Sequence, residues 1–395
     1  MKTFRAPSAP ATILGFAACG VALSFSLTGC GNNSESSAPS SSTSASTASS
    51  DNSTTASTTS SSGAATGGPI TIGYSDWPGW TVWEIADKQG FFKKEGVDVK
   101  LKWFENYTDS INALSAGQVD GNSQTWSDTM PALAKGQSLK VVLVNDNSFG
   151  NDAMIAQPGI NSVKDLKGKT VATEMGTCDH LLMLKALEAN GLKESDVKYK
   201  PITVPNCPAA MLSKQVDAAV VWEPSRTKIL KDLKGSKIVF DSSNIPGIIP
   251  DLLVMQGDIV TKRPADVQKI VNAWYDSLAF WRAHPDDAVK LMAAPTKTPV
   301  DDYKSFIKGT RIFSGTEALA AMTKSSKVTS LFVSGDSNAK FLLKAKQIDK
   351  LPDYAGAIDN QFVKAAVAKG MGKQPPYDYT VKVARAAARL AVPVS

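Results

Sequence analysis

Histidine is nearly missing from this chain: His180 and His284 are the only two in 395 residues. That scarcity removes most routes to imidazole acid–base chemistry or to a His-based metal centre. The spacings G-x-S-x-G, G-x-x-x-x-G-K-[ST] and H-E-x-x-H are also absent, so serine hydrolase, P-loop and zinc-protease readings lose their signatures. The carboxylates lack the regular ligand spacing of a metal-binding loop, so no metal and no cofactor is expected. Cysteine is sparse, at four. The net charge of +6 is spread over a long chain, too dilute to argue for a nucleic-acid partner. Beyond Leu27 no apolar run reaches membrane-spanning length.

What is present begins with an address. Lys2 and Arg5 precede an apolar run from Ala11 to Leu27, followed by Leu27-Thr28-Gly29-Cys30. A basic start, an apolar stretch and small residues before a cut site describe a secretory signal over 1–29. The last four residues resemble a bacterial lipobox, which implies that Cys30 becomes lipidated and anchors the protein to the membrane. From Gly31 to Gly68, 22 of 38 residues are Ser or Thr. Such a segment buries too little apolar surface to offset its chain entropy, so 30–68 reads as a disordered tether. The expectation is an extracytoplasmic, lipid-anchored, monomeric protein.

The remaining 325 or so residues exceed what one core usually carries, so two lobes are expected. Short apolar runs alternate with amphipathic stretches: "ITIGY" then "VWEIADKQGFF", "VKLKWF" then "YTDSINALSAG", "KTVATE" then "HLLMLKALEANG", "DAAVVW" then "SRTKILKDL". Strands followed by helices at this spacing predict an α/β fold with a largely parallel sheet. From about Lys262 the pattern turns mostly helical, through a last helix in "YTVKVARAAARLAV".

In open α/β sheets ligands sit beyond the carboxyl ends of the strands. The corresponding loops are 74–83, 104–109, 122–130, 145–152, 173–181, 203–210, 222–225 and 244–252. By their share of the chain, about seven of its 43 Lys and Arg would fall there, and none does. The same loops hold ten carboxylates: Asp76, Glu105, Asp109, Asp128, Asp146, Asp152, Glu174, Asp179, Glu223 and Asp251. They also hold Trp77, Trp80, Trp83, Trp126 and Trp222. An anion site would show Arg or Lys. Indole faces attract cations, and carboxylates accept paired bonds from a guanidinium-like fork. The combination reads as a box for a small planar cation or a urea-like donor.

Ordinary roles account for part of this inventory. Trp83, Trp103 and Trp274 lie in apolar stretches and read as core, Glu84 reads as surface, and Asp109 and Asp128 suit helix first turns as caps. "GTCDH" places Cys178 two residues before His180, a spacing too short for the usual thiol nucleophile geometry. Cys178 and Cys207 fall in cleft-edge loops after neighbouring strands, and a disulfide between them is expected in an exported protein.

From about Ile70 to Pro224 the chain resembles solute-binding proteins of ABC importers in the nitrate/sulfonate/taurine group. The carrying stretches are "IADKQGFFKKEGVDV", "ALSAGQVDG", "SVKDLKGKTVA" and "MLSKQVDAAVVWEP". That resemblance implies the type II periplasmic binding fold: two α/β lobes with a cleft between them and a mostly helical C-terminal part. It places lobe one at 69–147 plus 248–395 and lobe two at 148–247, with crossings near 145–150 and 242–249. Its partners would be a membrane permease and an ATPase, and the chain would not be an enzyme.

A closer likeness, to the urea-carboxylase-associated branch of guanidine- or urea-type importers, rests on "YSDWPGW", "GNDAMIA" and "DHLLML". Carried over by position, it implies ligand-binding roles for Asp76, Trp77, Trp80, Asp128, Glu174, Asp179, His180 and Trp222, with Trp126 and Glu223 beside them. The bulky Trp126 and the cysteine pair depart from that branch. Trp77, Trp80 and Trp222 would sandwich the solute while Asp128 and Glu174 or Asp179 take its N–H groups. A taurine, alkylsulfonate or nitrate ligand on the same fold would require a cation such as Arg226 or Lys262 to reach the cleft. A pyrimidine- or menaquinone-pathway-like enzyme on this fold is the reading from another class.

Overall fold

The computed structural model describes residues 67–373. The signal segment, Cys30, nearly all of the tether and the stretch "YTVKVARAAARLAV" lie outside the described residues. No described helix is long and apolar enough to cross a membrane.

Eleven strands form two sheets. The first has the order β11-β4-β10-β3-β1-β2, where β1 is Ile70–Tyr74, β2 Val99–Trp103, β3 Gly121–Thr125, β4 Leu139–Ser148, β10 Pro250–Gln256 and β11 Thr310–Ile312. The second has the order β7-β6-β8-β5-β9, where β5 is Ala153–Ala156, β6 Thr170–Thr173, β7 Lys198–Pro201, β8 Ala218–Val221 and β9 Lys237–Asp241. Helices flank both sheets. This is the α/β periplasmic binding protein fold.

The sheets are less uniformly parallel than the strand–helix alternation predicts. β1 runs parallel to β2 and β3, and β6 parallel to β7 and β8. One reversed strand sits inside each sheet: β10 is antiparallel to β3 and β4, and β5 to β8 and β9. The physical reason is the chain path. It leaves the first sheet after β4 and returns after β9, and each time it enters the other sheet from the opposite direction. The short edge strand β11, antiparallel to β4, lies inside the stretch read as helical.

The central strands β4 and β10, like β5 and β8, are covered on two faces and read as apolar runs rather than alternating ones, whereas the edge strands β2 and β7 are partly exposed. Val141–Val144 and Leu252–Met255 are buried throughout. The run stops abruptly at the end of β4, where Asn145, Asp146, Asn147 and Ser148 are buried and polar. Antiparallel pairing then sets Asp251 of β10 opposite Asp146 on one side and Thr125 on the other. Strand register alone gathers these polar groups at one end of the first sheet, facing the crossings to the second.

Candidate functional site

The loop after β1 makes a tight turn. The Trp80 N–H donates to the Trp77 carbonyl at 3.0 Å, with Pro78 and Gly79 between. The Trp77 indole N–H donates to Asp146 Oδ1 at 2.9 Å. Gly79 makes this possible: a Cβ there would lie 1.7 Å from Asp146 Oδ2 and 3.0 Å from Trp77 Nε1. Asp146 is a short side chain held in place, so it cannot swing away cheaply. Gly79→Ala is expected to cost about 1–3 kcal/mol of stability. Thermal unfolding checks this, and an unchanged melting temperature would show that the turn does not need its glycine.

From this turn an aromatic wall runs toward the second sheet. Trp77 and Trp80 are tilted at a centroid distance of 6.4 Å, Trp80 and Tyr107 approach to 5.0 Å, and Trp222 meets Tyr107 edge-on at 5.5 Å. Tyr107 opens the helix Tyr107–Ser115 and its hydroxyl accepts the Thr125 N–H at 2.9 Å. Trp222, just after β8, donates its indole N–H to Asp76 Oδ1 at 3.0 Å. Residues after β1 of one sheet and β8 of the other are thereby joined.

Behind this wall lies a small cavity of about 10 Å³, room for about one water. It is lined by Trp77, Trp80, Tyr107, Thr125, Asp152, Cys178, Trp222, Ile249 and Asp251. Around it five aspartates are buried: Asp128, Asp146, Asp152, Asp179 and Asp251, each at most 4% exposed. Asp128 accepts from Ser127 Oγ at 2.8 Å in the first turn of the helix Trp126–Ala134, yet its Oδ2 has no partner. Asp146 Oδ2, Asp152 Oδ2, Asp251 Oδ2 and both Asp179 oxygens likewise have no N–H or hydroxyl partner, and the acids face one another in two pairs, Asp146 with Asp251 and Asp152 with Asp179. No Lys, Arg or His lines the cavity.

Buried carboxylates without a cation hold their protons. Burial pushes Asp128 and Asp152 up to about 6 and Asp146 up to about 7. It raises Asp179 and Asp251 well above the carboxylate range, with the charges of neighbouring Asp152 and Asp146 adding to the effect. Partly buried Asp76 is raised to about 7, again chiefly by burial and against the bond from Trp222.

The residues expected to bind the solute divide into two groups. Asp76, Trp77, Trp80, Asp128, Asp179 and Trp222 gather at or around the cavity. Glu174 stands aside: Oε2 accepts the Val204 N–H at 3.0 Å and Oε1 accepts the Thr108 hydroxyl. Glu223 is paired with Arg226 at 2.7 Å and takes the Thr227 N–H at 2.9 Å, at the start of the helix Ser225–Asp232. His180 stacks on Tyr199 at 5.0 Å and lies 3.4 Å from Glu194, and burial lowers its pKa. Trp126 donates to the Leu331 carbonyl at 3.0 Å and meets Tyr354, packing between helices away from the cavity.

The expected disulfide is corrected. Cys178 and Cys207 are both free. Each heads a helix, but the thiols turn to different acceptors: Cys178 to Asp152 Oδ1 at 3.7 Å and Cys207 to the Ile202 carbonyl at 3.8 Å. Nor does a cation reach in from outside: Arg226 is held by Glu223, and Lys262 pairs with Asp258 at 3.2 Å on the surface.

Asp146, Asp152, Asp251 and Tyr107 are site residues that the sequence reading did not select. The three aspartates were visible in the count of cation-free loops, but nothing local separated them from the seven other carboxylates there. Tyr107 carried no signal beyond its place after β2.

Comparison with known proteins bears on this geometry. The family model described as NMT1/THI5 like matches residues 77–288. A Brucella abortus protein named only as a binding protein is 30% identical over 232 residues, covering 57% of this chain and 70% of that one. The taurine-binding periplasmic protein of Escherichia coli is 24% identical over 297 residues, covering 71% of this chain and 89% of that one. Among solved structures, the periplasmic aliphatic sulphonate binding protein of Escherichia coli superposes with a TM-score of 0.62 at 21% identity. That match covers 73% of this chain and 97% of the other.

Proposed function

The chain belongs to the NMT1/THI5-like family, and from that premise we propose that it is the extracytoplasmic solute-binding component of an ABC importer. Its solute is a small cation with planar N–H donors, guanidinium first and a urea-like donor next. Periplasmic binding proteins among its relatives support the importer role, with a permease and an ATPase as partners. Lipidated Cys30 would hold it at the membrane, outside the described residues.

One observation carries the choice of solute: a cavity that no cation lines is bordered by buried Asp152 and Asp251, with buried Asp179 close to the first and Asp146 opposite the second. An anion entering this space would meet no side-chain cation, and among the lining N–H groups only the Trp80 indole has no partner to give up. A guanidinium ion presents N–H donors in one plane, matching carboxylates around it and indole faces above and below. The cavity has room for about one water, so an ion of guanidinium size enters only as the surrounding side chains move apart. Each sheet would belong to one lobe, with residues 69–147 and 248–395 in the first and 148–247 in the second. Bonds from Asp76 to Trp222 and from Thr108 to Glu174 then join the lobes in the closed form. A solute that also contacts both lobes shifts the population toward closure only through its greater affinity for that form.

Titration calorimetry with guanidinium, urea, taurine and nitrate tests the reading. Micromolar or tighter guanidinium binding is expected, and binding of taurine or nitrate alone would overturn it. Trp222→Phe keeps the ring and removes the N–H held by Asp76, and guanidinium affinity should fall about tenfold. Unchanged affinity would remove Trp222 from the closing contacts.

A second reading, an amino sulfonate, draws on the relatives' names and on an outer cavity of about 470 Å³ bordered by Asp76, Lys228, Lys231 and Lys297. Those lysines already face Asp232, Asp302 and Glu105, which leaves a sulfonate little free charge.

A further inference from the structure

Sequence spacing predicted no metal constellation, yet the fold assembles one. Asp152 lies just before β5, while Cys178 and Asp179 open the helix Cys178–Ala189. Their ligand atoms all lie within 4.8 Å of one another. Two ligands bound to one zinc-like ion at about 2.0–2.3 Å cannot be more than roughly 4.6 Å apart, and tetrahedral ones are closer, so modest contraction suffices. All three side chains are buried, at 2%, 3% and 0% exposure. Both Asp179 oxygens and Asp152 Oδ2 lack an N–H or hydroxyl donor, and the two acids have only each other. The thiol's contact, 3.7 Å to Asp152, is long.

We propose that Asp152, Cys178 and Asp179 form a binding site for a borderline divalent cation of the Zn²⁺ class, with one thiolate ligand. The chemistry of the donors selects the ion. A thiolate disfavours Mg²⁺ and Ca²⁺, which take oxygen ligands, while two carboxylates beside it suit zinc, cobalt or cadmium. Asp152 and Cys178 line the cavity, so a fourth position opens into it. On binding, the Cys178 S–H bond breaks, its electron pair forms the metal–sulfur bond, and the proton passes to solvent. A proton held between Asp152 and Asp179 leaves as well. Charge supports the site: a divalent ion offsets two of the three negative charges of two carboxylates and a thiolate, beside a cavity that no side-chain cation lines.

The site stands on these three residues and does not depend on the organic cation proposed above. Titrating reduced full-length protein with Co²⁺ should give a near-ultraviolet thiolate-to-cobalt absorption band that saturates at one ion per chain. Cys178→Ser should abolish the band, and Asp179→Asn, which keeps the thiol, should weaken Co²⁺ binding at least tenfold. The same two variants should retain the wild-type far-ultraviolet circular dichroism. Absence of the band overturns the site, as does a band that survives in Cys178→Ser through another cysteine. If Cys178→Ser does not fold, unchanged affinity in Asp179→Asn overturns it instead. Calorimetry with guanidinium on the same wild-type sample separates the two readings. A band without guanidinium binding removes the organic cation, and guanidinium binding without a band removes the metal.

Discussion

Asp251→Asn is expected to abolish solute capture while making the empty protein more stable. Asp251 is 1% exposed, stands opposite Asp146 in the ladder, and has an unpartnered Oδ2 at the cavity. In the empty form burial holds Asp251 protonated, and keeping that proton at neutral pH costs free energy relative to the unfolded chain, where the group ionises. The amide has nearly the same shape and no charge, so it relieves that cost and the repulsion from Asp146. A gain of about 1–2 kcal/mol would raise the melting temperature by roughly 2–8 °C. A guanidinium ion loses a charged acceptor in a desolvated site, a loss of about 2–5 kcal/mol, or roughly 30-fold to several thousand-fold in affinity. Differential scanning and titration calorimetry read the two effects. A variant that binds guanidinium normally would refute the role of Asp251, and one that melts lower would show that the aspartate is compensated in the empty protein.

The second large effect is a pH profile of unusual sign. Unfolded aspartates titrate near 3.9. In the folded protein burial raises Asp128 and Asp152 to about 6 and Asp146 to about 7. Between these values the folded form holds more protons than the unfolded one, so stability falls as pH rises. Their contribution is fully present below about pH 4 and gone above about pH 7. His180 works against it, since burial disfavours its charged form and acid must charge it on unfolding. The carboxylates outnumber it, and the empty protein should lose a few kcal/mol between pH 4.5 and 7.5, melting roughly 5–10 °C lower at the upper end. Guanidinium should reverse most of that loss at pH 7.5 and little of it at pH 4.5, because it replaces the protons as the compensating charge. Melting curves at several pH values, with and without guanidinium, check this. A melting temperature that rises steadily toward neutral pH would mean that the aspartates are compensated in a way the cavity does not reveal.

Much of this protein is legible in one dimension. Alternation of "ITIGY"-type runs with amphipathic stretches predicts the α/β class, because sheets covered on both faces demand uninterrupted apolar strands. The cation-free loops point to the strand ends where buried aspartates and tryptophans gather, because they concentrate ten carboxylates and five tryptophans there. Trp77, Trp80 and Asp128 could be selected there. Trp126, His180 and Glu223 could not be separated from them, because a tryptophan under a helix, a stacked histidine and a helix-capping glutamate look the same in a string of letters.

The chain's own order also misled. Cys178 and Cys207 occupy equivalent places after neighbouring strands, which suggested a bond, but where a thiol points depends on the helix it heads. The reversed strands β5 and β10 follow from where the chain crosses between sheets, and crossings leave no local pattern.

Composition and periodicity by themselves determined the fold class and the negative character of the strand-end loops, because each is a sum over neighbours along the chain. Only the tertiary structure decided which carboxylates are deprived of partners. Asp146 and Asp251 meet through antiparallel register, and Asp152 meets Cys178 and Asp179 where a strand edge faces a helix start. Whether a charge is compensated depends on what surrounds it in three dimensions, and residues more than a hundred positions apart supply those surroundings.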